Sequence, residues 1–560
     1  MSKFVIYQVL PRLFGNKKTT NKHNGTIEEN GCGKFNDFTP EALKAIKSLG
    51  ITHIWYTGII EHSTQTDYSD FGIRKDHPAV VKGKAGSSYA IKDYYDVDPD
   101  LAENVETRMS EFQNLVNRTH KAGMKVIIDF VPNHVAREYH SDAKPKGVSD
   151  LGETDHPEWA FSPLNNFYYI SNKAFLPQFD IRDYREFPAK ATGNDQFTAS
   201  PGINDWYETI KLNYGVNYVE GNQKQFDPIP DTWIKMRDIL LFWASKKVDG
   251  FRCDMTEMVP VEFWSWAITQ VKSKYPELLF IAEVYKPAEY RNYLCNGKFD
   301  YLYDKVGMYD MLRNVTSRNY PVREITNSWQ SLGGIEDQML NFLENHDEQR
   351  IGSGFFSGNG MYAQPAMIVA ATLTKAPVMI YSGQELGEKG MDSEGFSGMD
   401  GRTSIFDYWG MKSIQTWINE GKFDGKYFTP EQKELQTFYQ KLLNITLNEK
   451  AITDGLMYDL EFANYDNHYF NTHEQFAYFR KFEDELLLIV LNFDDKHLDT
   501  QVLFPYESFQ YLELDEGQNY SVVNLLDESD KFPLLTLSSK DAFVAHMPAW
   551  KGFILKLAKV

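Results

Sequence analysis

The chain has 560 residues, which is too long for one hydrophobic core and predicts two or three structural units. Hydrophobic residues make up 42% of the sequence, ample for globular domains, and the formal net charge is −20. An acidic surface repels phosphate backbones, so the charge argues against a nucleic-acid partner and is compatible with neutral substrates such as sugars.

The cysteines and the apolar segments bear on location. Cys32, Cys253 and Cys295 are odd in number and far apart, which argues against a disulfide framework or a zinc cluster. The apolar run at 4–10 is too short for a signal core, and no small-residue cleavage site follows it. No stretch approaches the ~18 apolar residues of a membrane span. We therefore expect a cytoplasmic protein with no membrane partner, while the oligomeric state stays open.

Strands and helices alternate along the first part of the chain. Residues 4–10 predict a buried strand, and Thr39 with Pro40 predicts a helix start that Gly50 ends. A strand over 51–57, a helix over 109–122 and a strand over 125–130 follow. This alternation indicates a parallel sheet.

The alternation resumes with a helix over 233–247, where apolar residues keep helical spacing. Further strands are predicted over 249–254, 278–283, 299–303, 339–344 and 377–381. Together with the first three strands they make eight, the number in a closed (β/α)₈ TIM barrel.

Two segments depart from this pattern. The interval from Asp129 to Asp254 is about four times that from Asp254 to Glu283, which predicts a loop-rich inserted domain of roughly 90 residues after the third strand. Beyond about residue 450, predicted strands follow one another without helices, which indicates a C-terminal antiparallel β-sandwich domain. The predicted units are barrel over 1–134, insertion over 135–230, barrel over 231–450 and β domain over 451–560.

Polar residues cluster where four predicted barrel strands end, which is where barrel enzymes place their active sites. A single Asp or Asn at such a position is more often a turn former. Four clusters carrying acids, two histidines and an arginine predict an active site. They read Asp-Phe-Val-Pro-Asn-His at 129–134, Gly-Phe-Arg-Cys-Asp at 250–254, Phe-Ile-Ala-Glu at 280–283 and Glu-Asn-His-Asp at 344–347.

In order and spacing these segments resemble the four signature regions of the α-amylase family, glycoside hydrolase family 13, and 211–213 resembles a fifth region. The resemblance covers essentially the whole chain. It implies Asp254 as nucleophile, Glu283 as general acid/base and Asp347 as transition-state stabiliser. The residues that it implies around the cleaved sugar are Arg252, His134, His346 and Tyr89.

The chemistry of the residues agrees with these roles. Glycoside cleavage by this route needs one carboxylate that attacks and one carboxylic acid that protonates the leaving oxygen. Arg252 lies two residues before Asp254, on the same face of a strand, and should favour its ionised form. Glu283 has no cation within four residues and follows an apolar run, so we expect burial to raise its pKa.

Two departures from the family pattern concern metal and specificity. Many α-amylases have a Lys-His pair after the nucleophile, whereas this chain has Met-Thr-Glu-Met at 255–258, which argues against endo-acting specificity and against calcium. Asn133 matches a calcium ligand of many relatives but is equally a strand-end turn residue. We expect no required cofactor, with calcium at Asn133 as the alternative. Four aromatic residues of the insertion are predicted to pack in its core rather than stack on sugars: Trp206, Tyr207, Tyr214 and Tyr218.

The sequence therefore predicts a retaining glycosidase that cleaves α-glucosidic bonds, α-1,4 bonds foremost, in starch-, glycogen- or maltooligosaccharide-type substrates. A transglycosylase or isomerase that uses the same covalent intermediate is the main alternative. A non-catalytic glucan-binding scaffold is disfavoured because Asp254, Glu283, Asp347 and Arg252 are all present.

Overall fold

The computed structural model describes residues 3–560. Eight parallel strands close into a barrel, and each lies within one or two residues of its predicted position at both ends. The predicted barrel is confirmed. The strands are β1 (Val5–Val9), β2 (His53–Tyr56), β3 (Lys125–Phe130), β4 (Gly250–Cys253), β5 (Leu279–Ala282), β6 (Tyr301–Tyr303), β7 (Met339–Phe342) and β8 (Val378–Tyr381).

The strands are paired in chain order, and β8 closes the barrel against β1. Their side chains alternate between the interior and the surrounding helices, as the strand period of two requires. In β1, Ile6 belongs to the small interior cluster, whereas Val5 and Tyr7 belong to the large core beneath the helices. Strands with two apolar faces are typical of a parallel barrel.

Helices cover the outside of the barrel. The first has the predicted N-cap, because the Thr39 hydroxyl accepts a hydrogen bond from the Ala42 N–H at 3.2 Å. The main helices are Pro40–Ser48, Arg108–Lys121, Asp231–Ser245, Val261–Lys274, Tyr290–Cys295, Asp310–Thr316, Glu324–Ser331, Gln364–Thr372, Lys412–Ile418 and Pro430–Asn448. Among residues 3–560, no helix combines the length and apolar character needed to cross a membrane.

Between β3 and the helix Asp231–Ser245 the chain forms long loops with three short antiparallel pairs of strands. These pair His134–Ala136 with Thr209–Lys211, Tyr169–Ile170 with Ala189–Lys190, and Val216–Asn217 with Gln223–Lys224. A small apolar cluster around Phe175 and Tyr184 packs inside this segment, together with Val80 from the loop after β2. The loop-rich character agrees with the sequence, while the domain boundaries at 135 and 230 stay a prediction.

The C-terminal part is antiparallel, as predicted. A six-stranded sheet runs in the order Leu456–Asp459, Gln475–Phe482, Glu485–Asn492, Gly552–Lys559, Gln518–Asn524 and Leu535–Leu537. A two-stranded ribbon, Leu498–Leu503 with Ala542–Met547, packs on one face of this sheet around Phe479 and Leu488. The opposite face, including Tyr478 and Ile489, belongs to the same apolar core as the barrel.

Candidate active site

The polar strand-end residues converge at the carboxyl end of the barrel, above its apolar interior. They surround a cavity of about 550 Å³ that is lined by Asp254, Glu283, Asp347, His134, His346 and Tyr89. Arg252 lies beneath these side chains and is only 1% exposed. The structure thus brings together the three predicted catalytic acids and the four predicted sugar-binding residues.

Arg252 joins two of the acids through one guanidinium group. Its Nη1 lies 2.7 Å from Asp254 Oδ1, and its Nη2 lies 2.8 Å from Glu283 Oε2. The fold thus brings a cation to Glu283 from the neighbouring strand, a contact that sequence spacing alone did not indicate. The reason is the pairing of β4 with β5, in which Arg252 lies opposite Ile281. Asp254 and Glu283 each follow this pair by two positions, so both lie near the same guanidinium.

Glu283 also accepts hydrogen bonds from two neutral donors. The Met255 N–H donates to Oε2 at 2.8 Å, and the Tyr285 hydroxyl donates to Oε1 at 2.5 Å. Met255 adopts a left-handed backbone conformation (φ 41°), so the turn after β4 brings its N–H to the carboxylate. Both oxygens of Glu283 therefore have donors, and the carboxyl does not lie in the apolar surroundings expected from the sequence.

Burial raises the pKa of Asp254 well above its ordinary value. The Arg252 guanidinium opposes this shift, and the negative charge of Glu283 adds to it. Arg252 thus acts on Asp254 in the direction expected from the sequence, but burial outweighs it.

Asp347 lies across the cavity and bonds to its neighbour His346. The imidazole Nε2 is 2.9 Å from Asp347 Oδ2, and Nδ1 is 2.7 Å from the amide nitrogen of Gln8. Because an amide N–H can only donate, Nδ1 accepts and the ring proton resides on Nε2, facing Asp347. The ring also stacks on Tyr89, with centroids 5.0 Å apart, so three contacts fix its orientation.

His134 is the second histidine at the cavity. Burial and the nearby ammonium groups of Lys211 and Lys82 together lower its pKa to about 3, so the ring is neutral. The amide nitrogen of Asn133 lies 3.1 Å from Nδ1. Nδ1 therefore accepts this bond, and Nε2 carries the proton that a sugar hydroxyl can accept.

Asp129, which ends β3, is a site residue to which the sequence reasoning assigned no role. Its Oδ2 accepts a hydrogen bond from Trp55 Nε1 at 3.0 Å, and its Oδ1 lies 3.3 Å from the Tyr89 hydroxyl and 3.5 Å from Arg252 Nη1. It thereby holds Tyr89 and Arg252 in place. Its position in the first motif was the available signal. Gln8, Tyr285 and Tyr303 were also missed; the Tyr303 hydroxyl accepts from Arg252 Nε at 3.1 Å.

The surroundings of Asn133 do not fit a calcium ion. Its side-chain oxygen accepts a hydrogen bond from the Lys211 ammonium group, and its amide nitrogen donates to the Gly193 carbonyl at 2.8 Å. The oxygen that would ligate a metal thus already faces a cation. Within residues 3–560, no cluster of three or more His, Cys, Asp and Glu side chains is arranged to hold a metal.

The four aromatic residues of the insertion divide into two groups. Tyr207 and Tyr214 are buried, and Tyr218 is half-buried against Tyr168, in agreement with the predicted packing. Trp206 instead lines the cavity, with its ring 5.3 Å from that of His134. The packing prediction is wrong for this residue.

Comparison with known proteins agrees with the geometry. A family model described as "Alpha amylase, catalytic domain" matches residues 8–455. The chain belongs to the α-amylase family. It is a family 13 enzyme of the glycosidase type.

Individual relatives are distant. α-Amylase 3 of Dictyoglomus thermophilum is 25% identical over 472 residues, which is 81% of this chain and 79% of the relative. The cyclomaltodextrin glucanotransferase of Bacillus licheniformis is 21% identical over 400 residues, covering 68% of this chain and 49% of the relative. The structure of Geobacillus thermoleovorans α-amylase complexed with acarbose superimposes with a TM-score of 0.65 at 19% identity, covering 99% and 98% of the two chains. The relatives thus include an α-amylase and a glucanotransferase whose identities to this chain are similar.

Proposed function

We propose that this enzyme cleaves α-glucosidic bonds, α-1,4 bonds foremost, in maltooligosaccharide- or starch-type substrates with retention of anomeric configuration. The observation that carries the proposal is the single Arg252 guanidinium that holds Asp254 and Glu283 at 2.7 and 2.8 Å. Two carboxyl groups held by one guanidinium suit a covalent mechanism, because an inverting enzyme needs room between them for a water molecule.

In the first step Asp254 attacks the anomeric carbon, and Glu283 transfers its proton to the departing glycosidic oxygen. In the second step Glu283 takes a proton from water, which displaces Asp254 from the covalent intermediate. Asp347 stabilises the positive charge that develops on the sugar ring, and its exposure to the cavity suits direct contact with sugar hydroxyls.

Three carboxyl groups, those of Asp129, Asp254 and Glu283, surround the Arg252 guanidinium. Burial raises the pKa of Asp254 and the Arg252 guanidinium lowers it, whereas attack requires the carboxylate form of this residue. The Tyr285 hydroxyl donates to Oε1 of Glu283 and can rotate, so its turning away would leave Oε1 free to transfer a proton to the leaving oxygen.

The cavity walls suit a neutral, hydroxyl-rich ligand. Charged side chains at the rim occur in compensating pairs, with Lys82 3.0 Å from Glu208 and Lys305 3.4 Å from Glu348. His134, with its Nε2 proton, can donate to a hydroxyl, and Trp206 offers an aromatic face for stacking beside it.

Product analysis tests this proposal. The enzyme would be incubated with maltoheptaose, pullulan, isomaltose, sucrose and trehalose, and the products separated by chromatography. We expect shorter maltooligosaccharides from maltoheptaose, with the α-anomer appearing first in proton NMR. A β-anomer appearing first would refute retention, and turnover of none of the five substrates would refute the substrate class.

Transglycosylation is the second candidate, because a cyclomaltodextrin glucanotransferase is among the relatives. Both reactions share the covalent intermediate and differ in whether water or a second sugar accepts the glycosyl group. Products longer than the starting maltoheptaose, increasing with substrate concentration, would favour the transferase. Release of one reducing end per bond cleaved would favour the hydrolase.

A further inference from the structure

The ammonium group of Lys211 lies in a pocket of oxygen atoms where the insertion meets the barrel. It donates to the side-chain oxygen of Asn133, lies 2.7 Å from Asp195 Oδ1 and donates to the Met258 carbonyl at 3.3 Å. The lysine is 2% exposed. Its partners lie at the exit from β3, within the insertion and in the turn after β4, so one cation connects three segments.

A second buried lysine repeats this arrangement on the helix that follows the insertion. Lys235, on the helix Asp231–Ser245, donates to the side-chain oxygen of Asn166 at 2.9 Å and to the Asp150 carbonyl at 2.7 Å. Its ammonium group also lies 2.8 Å from Asp231 Oδ2. The two lysines thus have the same three kinds of partner: one asparagine side-chain oxygen, one aspartate and one backbone carbonyl.

We propose that Lys211 and Lys235 take the place of a structural metal ion in fixing the insertion to the barrel, and that Lys211 also positions His134. The chemistry fits, because an ammonium group has three donors and each lysine meets three oxygen acceptors. These are also the oxygen types that bind Ca²⁺. A lysine is part of the chain, so attachment of the insertion by these residues does not depend on metal supply. This proposal does not depend on the reaction proposed above.

The link from Lys211 to the cavity passes through Asn133. Because the ammonium group can only donate, it holds the amide oxygen of Asn133 towards itself and turns the amide nitrogen towards Gly193 and His134 Nδ1. That contact places the His134 proton on Nε2. Lys211 and His134 are also direct partners in the two-stranded pairing of the insertion. Lys235 has no such link, which makes it a matched control for positioning.

The test compares three lysine-to-alanine variants with the wild type by thermal melting, in the presence of EDTA or millimolar CaCl₂. We expect EDTA to leave the wild-type melting temperature unchanged. Lys211→Ala and Lys235→Ala should each lower it by at least about 3 °C, since each removes a buried ammonium group from three oxygen partners. The exposed Lys433→Ala should leave it unchanged.

Lys211→Ala also leaves three oxygens facing the space of the removed ammonium group. CaCl₂ should therefore raise the melting temperature of this variant more than that of the wild type. Kinetics separate attachment from positioning. Lys211→Ala should raise KM about three- to tenfold through His134, whereas Lys235→Ala should lower the melting temperature without changing KM.

Two results would overturn the proposal. One is a wild-type melting temperature that falls in EDTA and recovers with Ca²⁺, a measurement that needs no variant and decides the matter even if the variants do not fold. The other is a melting temperature of Lys211→Ala and of Lys235→Ala that equals the melting temperature of Lys433→Ala. That result would show that the two buried ammonium groups do not hold the insertion. Equal KM changes in Lys211→Ala and Lys235→Ala would overturn the positioning role alone.

Discussion

Replacing Arg252 by leucine tests the central feature of the site. The substitution removes the guanidinium that contacts Asp254 at 2.7 Å and Glu283 at 2.8 Å, in a position that is 1% exposed. Removing one partner of a buried ion pair costs ~3–5 kcal/mol. If the transition state loses that amount, kcat/KM falls by roughly 10²- to 10⁴-fold, since each 1.36 kcal/mol is a factor of ten.

The same substitution should change the pH dependence. Arg252 lowers the pKa of Asp254 against the effect of burial, so its removal raises that pKa further. Asp254 must be ionised to attack, and activity is lost as the pH falls through its pKa. The acid limb of kcat/KM should therefore move to higher pH.

The assay is the pH profile of kcat/KM on an aryl α-maltoside, with folding checked by thermal melting. Arg252→Lys serves as the control, because lysine keeps the charge but lacks the planar fork that reaches two carboxylates. We expect its acid limb to move less than that of Arg252→Leu. An unmoved limb in Arg252→Leu, with only a raised KM, would mean that Arg252 binds sugar and does not act on the nucleophile.

Three further outcomes are expected. Asp254→Asn should leave the fold intact and remove nearly all turnover, and a residual rate above a few per cent of wild type would rule out its role as nucleophile. Glu283→Ala should retain far more activity on an α-glucosyl fluoride than on maltooligosaccharides, and azide should rescue it to an α-glucosyl azide; a β-azide by NMR would contradict the covalent mechanism. Tyr285→Phe removes the donor to Glu283 Oε1, so kcat/KM should fall while the melting temperature stays nearly unchanged; an unchanged kcat/KM would show that Tyr285 does not act on Glu283.

The barrel could be predicted from the sequence because its strands are apolar on both faces and alternate with amphipathic helices. Pairing in chain order then places the ends of all eight strands at one rim, so the acids at 254, 283 and 347 were predictable as neighbours. Each of these inferences depends on order along the chain, which a parallel barrel preserves in space.

The electrostatics of the site depend on contacts that chain order does not preserve. Arg252 is adjacent in sequence only to Asp254, yet it also reaches Glu283 because β4 and β5 are in register. Lys211 approaches Asn133 only after the insertion has folded back along the barrel exit. The sequence shows which residues are charged. Which two residues contact the same charged group can be known only from the folded structure.

The C-terminal sheet limits how far this enzyme can be treated as modular. The family match ends at residue 455, but Tyr478 and Ile489 share one apolar core with the barrel. The buried Arg480 donates to the carbonyls of Leu373, Ala451 and Gly455. A catalytic fragment cut at that boundary would leave an apolar barrel surface in water, and calorimetry of the intact chain should show barrel and sheet melting together. Grafting another C-terminal domain onto this barrel would therefore require redesign of the barrel surface as well.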